Sequence, residues 1–273
     1  MFDTRLTKYH TASAKDVSAR VNYLYPGDDR IAIHIDKDGI AGNIVMPDYD
    51  EQIVEIKDER GSAEPVSFKS DALEFVHAPT SASGFEDGDA WKDRYETEIA
   101  SLLKDRLGAK EVLIFDHTIR VDDPNETRRP ARHVHSDYSV KGAHQRLRDL
   151  VGEDPAPDWE AGHFAFVNTW RPIDYPIEST PLGFIRPRSV KDSEWRDIDL
   201  VYPDRLGQIK GLVGNEAHEW VYLSEMTPDE IAILNIYDNR GLPQIAHSAL
   251  DLIGQPAPTR PRKSLETRTL IRF

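Results

Sequence analysis

The chain has 273 residues, 39% of them hydrophobic, enough to bury a sizeable core. A formal net charge of -14 argues against unspecific binding to nucleic acid or anionic membranes. Cysteine is absent, which excludes disulfides, zinc-thiolate sites, iron-sulfur clusters and thiol nucleophiles together, so any metal must be held by His, Asp or Glu.

The first eight residues, Met1-Phe2-Asp3-Thr4-Arg5-Leu6-Thr7-Lys8, contain no apolar secretory core, and no later stretch approaches the roughly 18 consecutive apolar residues of a membrane span. A soluble, cytoplasmic protein is expected. Residues 31–39 alternate and run into Asp38-Gly39, which reads as a hairpin. Further short alternations to Ile56, broken at Pro47-Asp48, suggest a small antiparallel region flanking the main sheet. A polar passage over 79–89 follows. Trp91, Tyr95, Ile99, Leu102, Leu103 and Leu107 then recur with helical spacing and Gly108 supplies a stop, predicting an amphipathic helix over 89–107.

Residues 111–120 read as a strand ended by the turn Asp122-Asp123-Pro124-Asn125. After Arg128-Arg129-Pro130 comes a second β-friendly run, then a short helix over 141–151 closed by Asp154-Pro155-Ala156-Pro157. Over 163–170 a strand places Phe164, Phe166, Asn168 and Trp170 on one face and Ala165, Val167, Thr169 and Arg171 on the other. Strand-like pieces recur at 182–185, 198–202 and 220–223. Met226-Thr227-Pro228-Asp229-Glu230 resembles a capped helix start, but the apolar run 231–237 suits a buried strand, and we read a strand. A last strand covers 264–273. The sum is a mainly β fold with supporting helices, most simply a double-sheet jelly roll in one domain, with 1–80 as a β-rich flanking region and 81–273 as the core.

The chemistry centres on Arg132-His133-Val134-His135-Ser136-Asp137-Tyr138. His135 and Asp137 are two apart, so on a strand both point the same way. One distant histidine would complete a two-His-one-carboxylate triad that leaves metal positions open. His247, set among small residues in Ile245-Ala246-His247-Ser248-Ala249, is the best candidate, with a hydrogen-bonded loop histidine as the plainer reading. A second His-x-Asp, His34-Ile35-Asp36, falls in the hairpin-like segment and is read as structural. Asn168 and Trp170 share a face that could line a pocket, with Arg171 pointing away. His117 and Arg120 lie on opposite faces of a regular strand, and either could touch an anionic substrate. Tyr138 would pack beside a metal, and His133 would support His135 rather than ligate.

These motifs and their order resemble the non-haem iron, 2-oxoglutarate-dependent hydroxylase/desaturases of natural-product pathways. The likeness runs from Phe85 through Trp91, Tyr95 and Phe115-Asp116-His117-Thr118-Ile119-Arg120, then Val134-His135-Ser136-Asp137-Tyr138-Ser139 and Asn168-Thr169-Trp170-Arg171-Pro172. It continues through Tyr237-Asp238 and His247 to Pro261-Arg262-Lys263-Ser264-Leu265-Glu266-Thr267-Arg268. The resemblance implies a cupin-like double-stranded β-helix with Fe(II) on His135, Asp137 and His247, and 2-oxoglutarate and O2 as co-substrates. A small metabolite would be hydroxylated, desaturated or cyclised. The far carboxylate of 2-oxoglutarate would pair with an Arg after the distal His, and Ser264 would add a hydrogen bond. Arg262 and Arg268 share one face, so sequence does not choose between them. Asn168 and Trp170 would line the co-substrate pocket, and His117, Arg120, Tyr138 and Arg171 are the substrate-side candidates. A small molecule is the expected partner, with self-association into a homodimer left open. The same ligands could instead serve a Zn(II) hydrolase or isomerase, or a non-catalytic binding domain.

Overall fold

The computed structural model describes residues 16–27, 31–34, 48–203 and 205–273. Two sheets face each other. The smaller runs, in spatial order, Leu73–His77, Glu230–Asp238, Phe164–Pro172, Lys263–Arg272, Glu111–Val121. The larger has ten strands, with Leu182–Ile185, Ala246–Ala249, His135–Ser136 and Leu206–Leu212 adjacent in that order. This is the expected jelly roll.

Period-two alternation explains the layering. Phe164, Phe166 and Trp170 enter the core between the sheets, beside Phe184 and Val221 from the larger one. Ala165 and Val167 face the other way, where with Ile231, Ile233, Leu265 and Ile271 they receive Tyr95, Ile99, Leu102 and Leu103 of the helix Lys92–Leu107. That helix stops at Gly108, whose positive φ of 76° suits a residue without Cβ. The strand read at 231–237 is Glu230–Asp238, and the second helix is Val140–Val151, with Ser139 accepting from Gly142 N at its start.

Tyr49–Asp58 lies inside the larger sheet, between Val17–Leu24 and Trp220–Tyr222, not beside it. Ile31–His34 pairs in parallel with Trp195–Val201, and the Asp38-Gly39 turn read for it falls outside the described residues, as do Ile35 and Asp36. The strands Val17–Leu24, Leu73–His77 and Leu206–Leu212 and the helices Phe68–Asp71 and Ala156–Ala161 were not expected. Leu206–Leu212 carries two glycines that weaken its β signal.

One close approach fixes the helix Val140–Val151 against Leu206–Leu212. A Cβ on Gly142 would lie 2.2 Å from the Gln208 carbonyl oxygen, and backbone cannot yield as a side-chain tip can. Gly142→Ala is therefore expected to destabilise by about 1–3 kcal/mol, the cost of overpacking. The denaturant midpoint checks this, and an unchanged midpoint would mean the helix can lift off without cost.

Candidate metal centre

The sheet pairs His247 directly opposite His135 in antiparallel register, so both imidazoles leave the same face, with ring centroids 4.4 Å apart. Asp137 follows immediately after the short His135–Ser136 strand and before the Ser139 cap. Its Oδ1 lies 3.5 Å from His135 Nε2 and 3.8 Å from His247 Nε2, and one ligand atom from each of the three residues falls within 4.8 Å of the others.

Neighbouring groups aim these atoms. His135 Nδ1 lies 2.8 Å from the His133 carbonyl oxygen, which can only accept, so Nδ1 carries the hydrogen and Nε2 presents its lone pair inward. Asp137 Oδ2 accepts from Asn168 Nδ2 at 2.8 Å and from Arg268 Nε at 3.1 Å, which turns Oδ1 toward the two imidazoles. Burial works to raise the Asp137 pKa, but Arg268, a hydrogen bond with His135 and the neighbouring histidines outweigh it and hold the carboxylate well below its usual range. His247 is buried, its Nδ1 has no well-formed hydrogen bond, and burial followed by the charge of His135 pushes its pKa down to about 3. Two neutral imidazoles and one ionised carboxylate, aimed at one point, fit a divalent ion with open positions.

The His247 shift has a defined sign. Between pH 6.5 and about 3 the unfolded chain takes up a proton that the folded, metal-free protein refuses, so stability falls as pH falls through that window. At about 1.4 kcal/mol per pKa unit the loss amounts to several kcal/mol. Urea midpoints of metal-free protein should decline more steeply below pH 6.5 for the parent than for His247→Gln; superimposable profiles would contradict a neutral buried imidazole.

The triad lines a cavity of about 560 Å³ together with Tyr138, Trp170, Arg120, Arg262 and Arg268. The two arginines left open by the sequence differ sharply. Arg268 is saturated: Nη1 reaches Asp116 at 2.6 Å, Nη2 reaches Glu266 at 2.6 Å and Nε reaches Asp137. Arg262 is 2% exposed and, among the described residues, forms no ion pair. Its Nε and Nη2 donate to Ser264 Oγ at 3.2 Å, Nη1 donates to the Thr180 carbonyl at 2.9 Å, and Cζ lies 5.0 Å from the Trp170 ring centroid. Burial, then the charge of Arg120, pushes its pKa down to about 9, outweighing the more distant Asp122 and Glu266.

Asn168 sits behind Asp137 and also donates to Glu266 Oε1 at 3.0 Å. His117 and Arg171 do not line the cavity. His117 lies on the opposite side of its strand, between Thr267 Oγ1 at 2.9 Å and Glu96 at 3.0 Å, and packs on Trp91. Arg171 is buried over Tyr95 and donates to the Ala78 carbonyl at 2.6 Å. Both face the helix-side core because alternation puts them there. Asp116 and Glu266, which cage Arg268, were not anticipated. Glu266 had a signal, being in phase with Arg262 and Arg268. Asp116 was likewise in phase with Arg120, while the register shift opposite Arg268/Thr269 turns its neighbour Phe115 toward the cavity as well.

A jelly roll bearing two histidines and a carboxylate on one sheet face defines the class of mononuclear non-haem metal enzymes. The chain belongs to the oxidoreductase/YMDC permease-like domain family, whose model matches residues 21–272. No helix among the described residues is long and apolar enough to cross a membrane. The chain is 29% identical to the hydroxylase/desaturase efuI of Hormonema carpetanum, across 85% of this chain and 87% of that protein. It is 27% identical to the Fe(II)/2-oxoglutarate-dependent dioxygenase nvfI of Aspergillus novofumigatus, across 68% and 69% of the two. The solved structure of the iron and alpha-ketoglutarate-dependent endoperoxidase NvfI superposes with a TM-score of 0.82 over 94% of this chain and 98% of that one, at 22% identity, which shows the shared fold.

Proposed function

We propose that this chain is an Fe(II)/2-oxoglutarate-dependent oxygenase of natural-product biosynthesis that hydroxylates, desaturates or cyclises a small metabolite. The observation that carries the reading is Arg262: a buried guanidinium without an anion, in the same cavity as the triad, backed by Ser264. His135, Asp137 and His247 would hold the iron, and Arg262 would take the far carboxylate of 2-oxoglutarate in the planar two-point contact that guanidinium favours. When bound, the iron supplies activation of O2 for oxidative decarboxylation of 2-oxoglutarate to succinate and CO2, coupled to oxidation of the substrate.

The protein's own part is positional. Asn168 and Arg268 fix which Asp137 oxygen faces the ion, and the His133 carbonyl fixes the His135 tautomer. Trp170 walls the co-substrate side and packs against Arg262. A reducing compartment such as the cytoplasm would keep the iron ferrous, and the relatives named hydroxylase/desaturase and dioxygenase support the same class.

The test has two stages. Anaerobic addition of Fe(II) and 2-oxoglutarate should give a weak visible charge-transfer band, and admitting air should release succinate. Arg262→Gln should keep Fe(II) binding but weaken 2-oxoglutarate by about 2–5 kcal/mol, the cost of breaking a buried charge pair. A protein that binds Fe(II) but shows neither band nor succinate is not of this class.

A further inference from the structure

Six arginines line the cavity of a chain whose net charge is -14. Four carboxylates share the lining, Asp116, Asp137, Asp149 and Glu266, and Arg268 engages three of them. The fourth, Asp149, is exposed and accepts from Gln145 at 2.9 Å. Arg120, Arg128, Arg146 and Arg205 therefore line the cavity without an ion pair among the described residues, Arg205 lying over the Tyr202 ring. Arg120 donates to the Arg129 carbonyl at 2.9 Å and touches no carboxylate directly, and Arg146 lies 4.8 Å from the centroid of the Phe115 ring. An acidic protein that gathers unpaired guanidinium groups around one opening concentrates anions there.

One stretch of the lining is apolar. Ile33, Leu200, Leu206 and Ile209 contribute side chains, and Leu206 is 66% exposed despite being a large aliphatic group on a cavity wall. Such a surface is covered when a ligand supplies apolar area. Resting on the oxygenase reading, the two carboxylates of 2-oxoglutarate are accounted for by the metal and Arg262, so the arginines at 120, 128 and 146 are left to take a further anion.

We propose that the oxidised substrate is an amphipathic carboxylate, its anionic end held by Arg120, Arg128 and Arg146 and its apolar body laid along Ile33, Leu200, Leu206 and Ile209. The carboxylate would anchor one end of the molecule and so set which carbon reaches the triad. Aromatic contact with Phe115 and Tyr138 would flank the anchor.

Calorimetric titration of decanoate and of decanol, at matched ionic strength, into protein preloaded with Fe(II) and 2-oxoglutarate under anaerobic conditions tests this. Decanoate should bind at least about tenfold more tightly than decanol, and the preference should weaken with added salt. Arg128→Gln and Arg146→Gln should each reduce decanoate affinity about tenfold and leave decanol unchanged. Arg128 is exposed, so that variant keeps the test usable if Arg146→Gln folds poorly. Equal binding of acid and alcohol, or decanoate affinity indifferent to both substitutions, overturns the proposal. Should 2-oxoglutarate itself fail to bind, the oxygenase reading fails; the same titration in its absence then still reports on the arginine anchor, with competition at Arg262 diagnosed by Arg262→Gln.

Discussion

Asp137→Ala is expected to reduce Fe(II)-dependent absorbance and succinate release to background. Asp137 is the single anionic ligand candidate, and its Oδ1 sits 3.5 and 3.8 Å from the two Nε2 atoms. Its loss leaves two neutral imidazoles, which offer a hard divalent ion no compensating charge. A graded control separates this from general damage. Asn168→Ala keeps all three ligand candidates but removes the 2.8 Å donor that holds Oδ2 back, so Fe(II) affinity should fall about 10–100-fold, the usual effect of losing a group that orients a ligand. Anaerobic Fe(II) titration of the two variants should therefore rank parent, Asn168→Ala, then Asp137→Ala. If Asp137→Ala binds Fe(II) as the parent does, the ion is held elsewhere.

Arg268→Ala should be among the most destabilising substitutions, by about 3–5 kcal/mol. The guanidinium stands between Asp137, Glu266 and Asp116, and the first two are largely shielded from water. Removing it leaves two buried carboxylates without their ion-pair partner, whereas the partly exposed Asp116 recovers much of its loss by hydration. With Arg268 gone, the largest influence opposing burial at Asp137 is lost, leaving the hydrogen bond with His135 and the neighbouring histidines, and its pKa should rise. The urea midpoint should drop with an unchanged slope. Saturating Fe(II) should restore part of the loss, because the ion binds the folded state and supplies positive charge at the same place. Arg268→Lys keeps one charge but cannot span three partners, so it should fall between. A variant as stable as the parent would show that the cage carries no net stabilisation. Arg262→Gln offers the contrast: it removes a cation that has no anion, and without 2-oxoglutarate its stability should change little.

Residue periodicity and motif spacing were enough to reveal the elements and the chemistry they carry. The alternation of Phe164, Phe166 and Trp170 against Ala165 and Val167 separated the two faces of that strand, and the helical spacing of Tyr95, Ile99, Leu102 and Leu103 gave a helix with one apolar side; the packing of each came from the fold. The His135-Ser136-Asp137 spacing placed two ligand candidates on one side. Everything else came from folding, because each remaining answer depends on pairing between segments distant along the chain. His247 became a neighbour of His135 through strand register. Arg262 and Arg268, equivalent by alternation, were separated by what lies across from them: three carboxylates surround Arg268, while Thr180 and Ser264 surround Arg262. A single bulge opposite Arg268/Thr269 turned Phe115 to the same side as Asp116, and local sequence carries no mark of such a slip, since its cause is the fit of two strands.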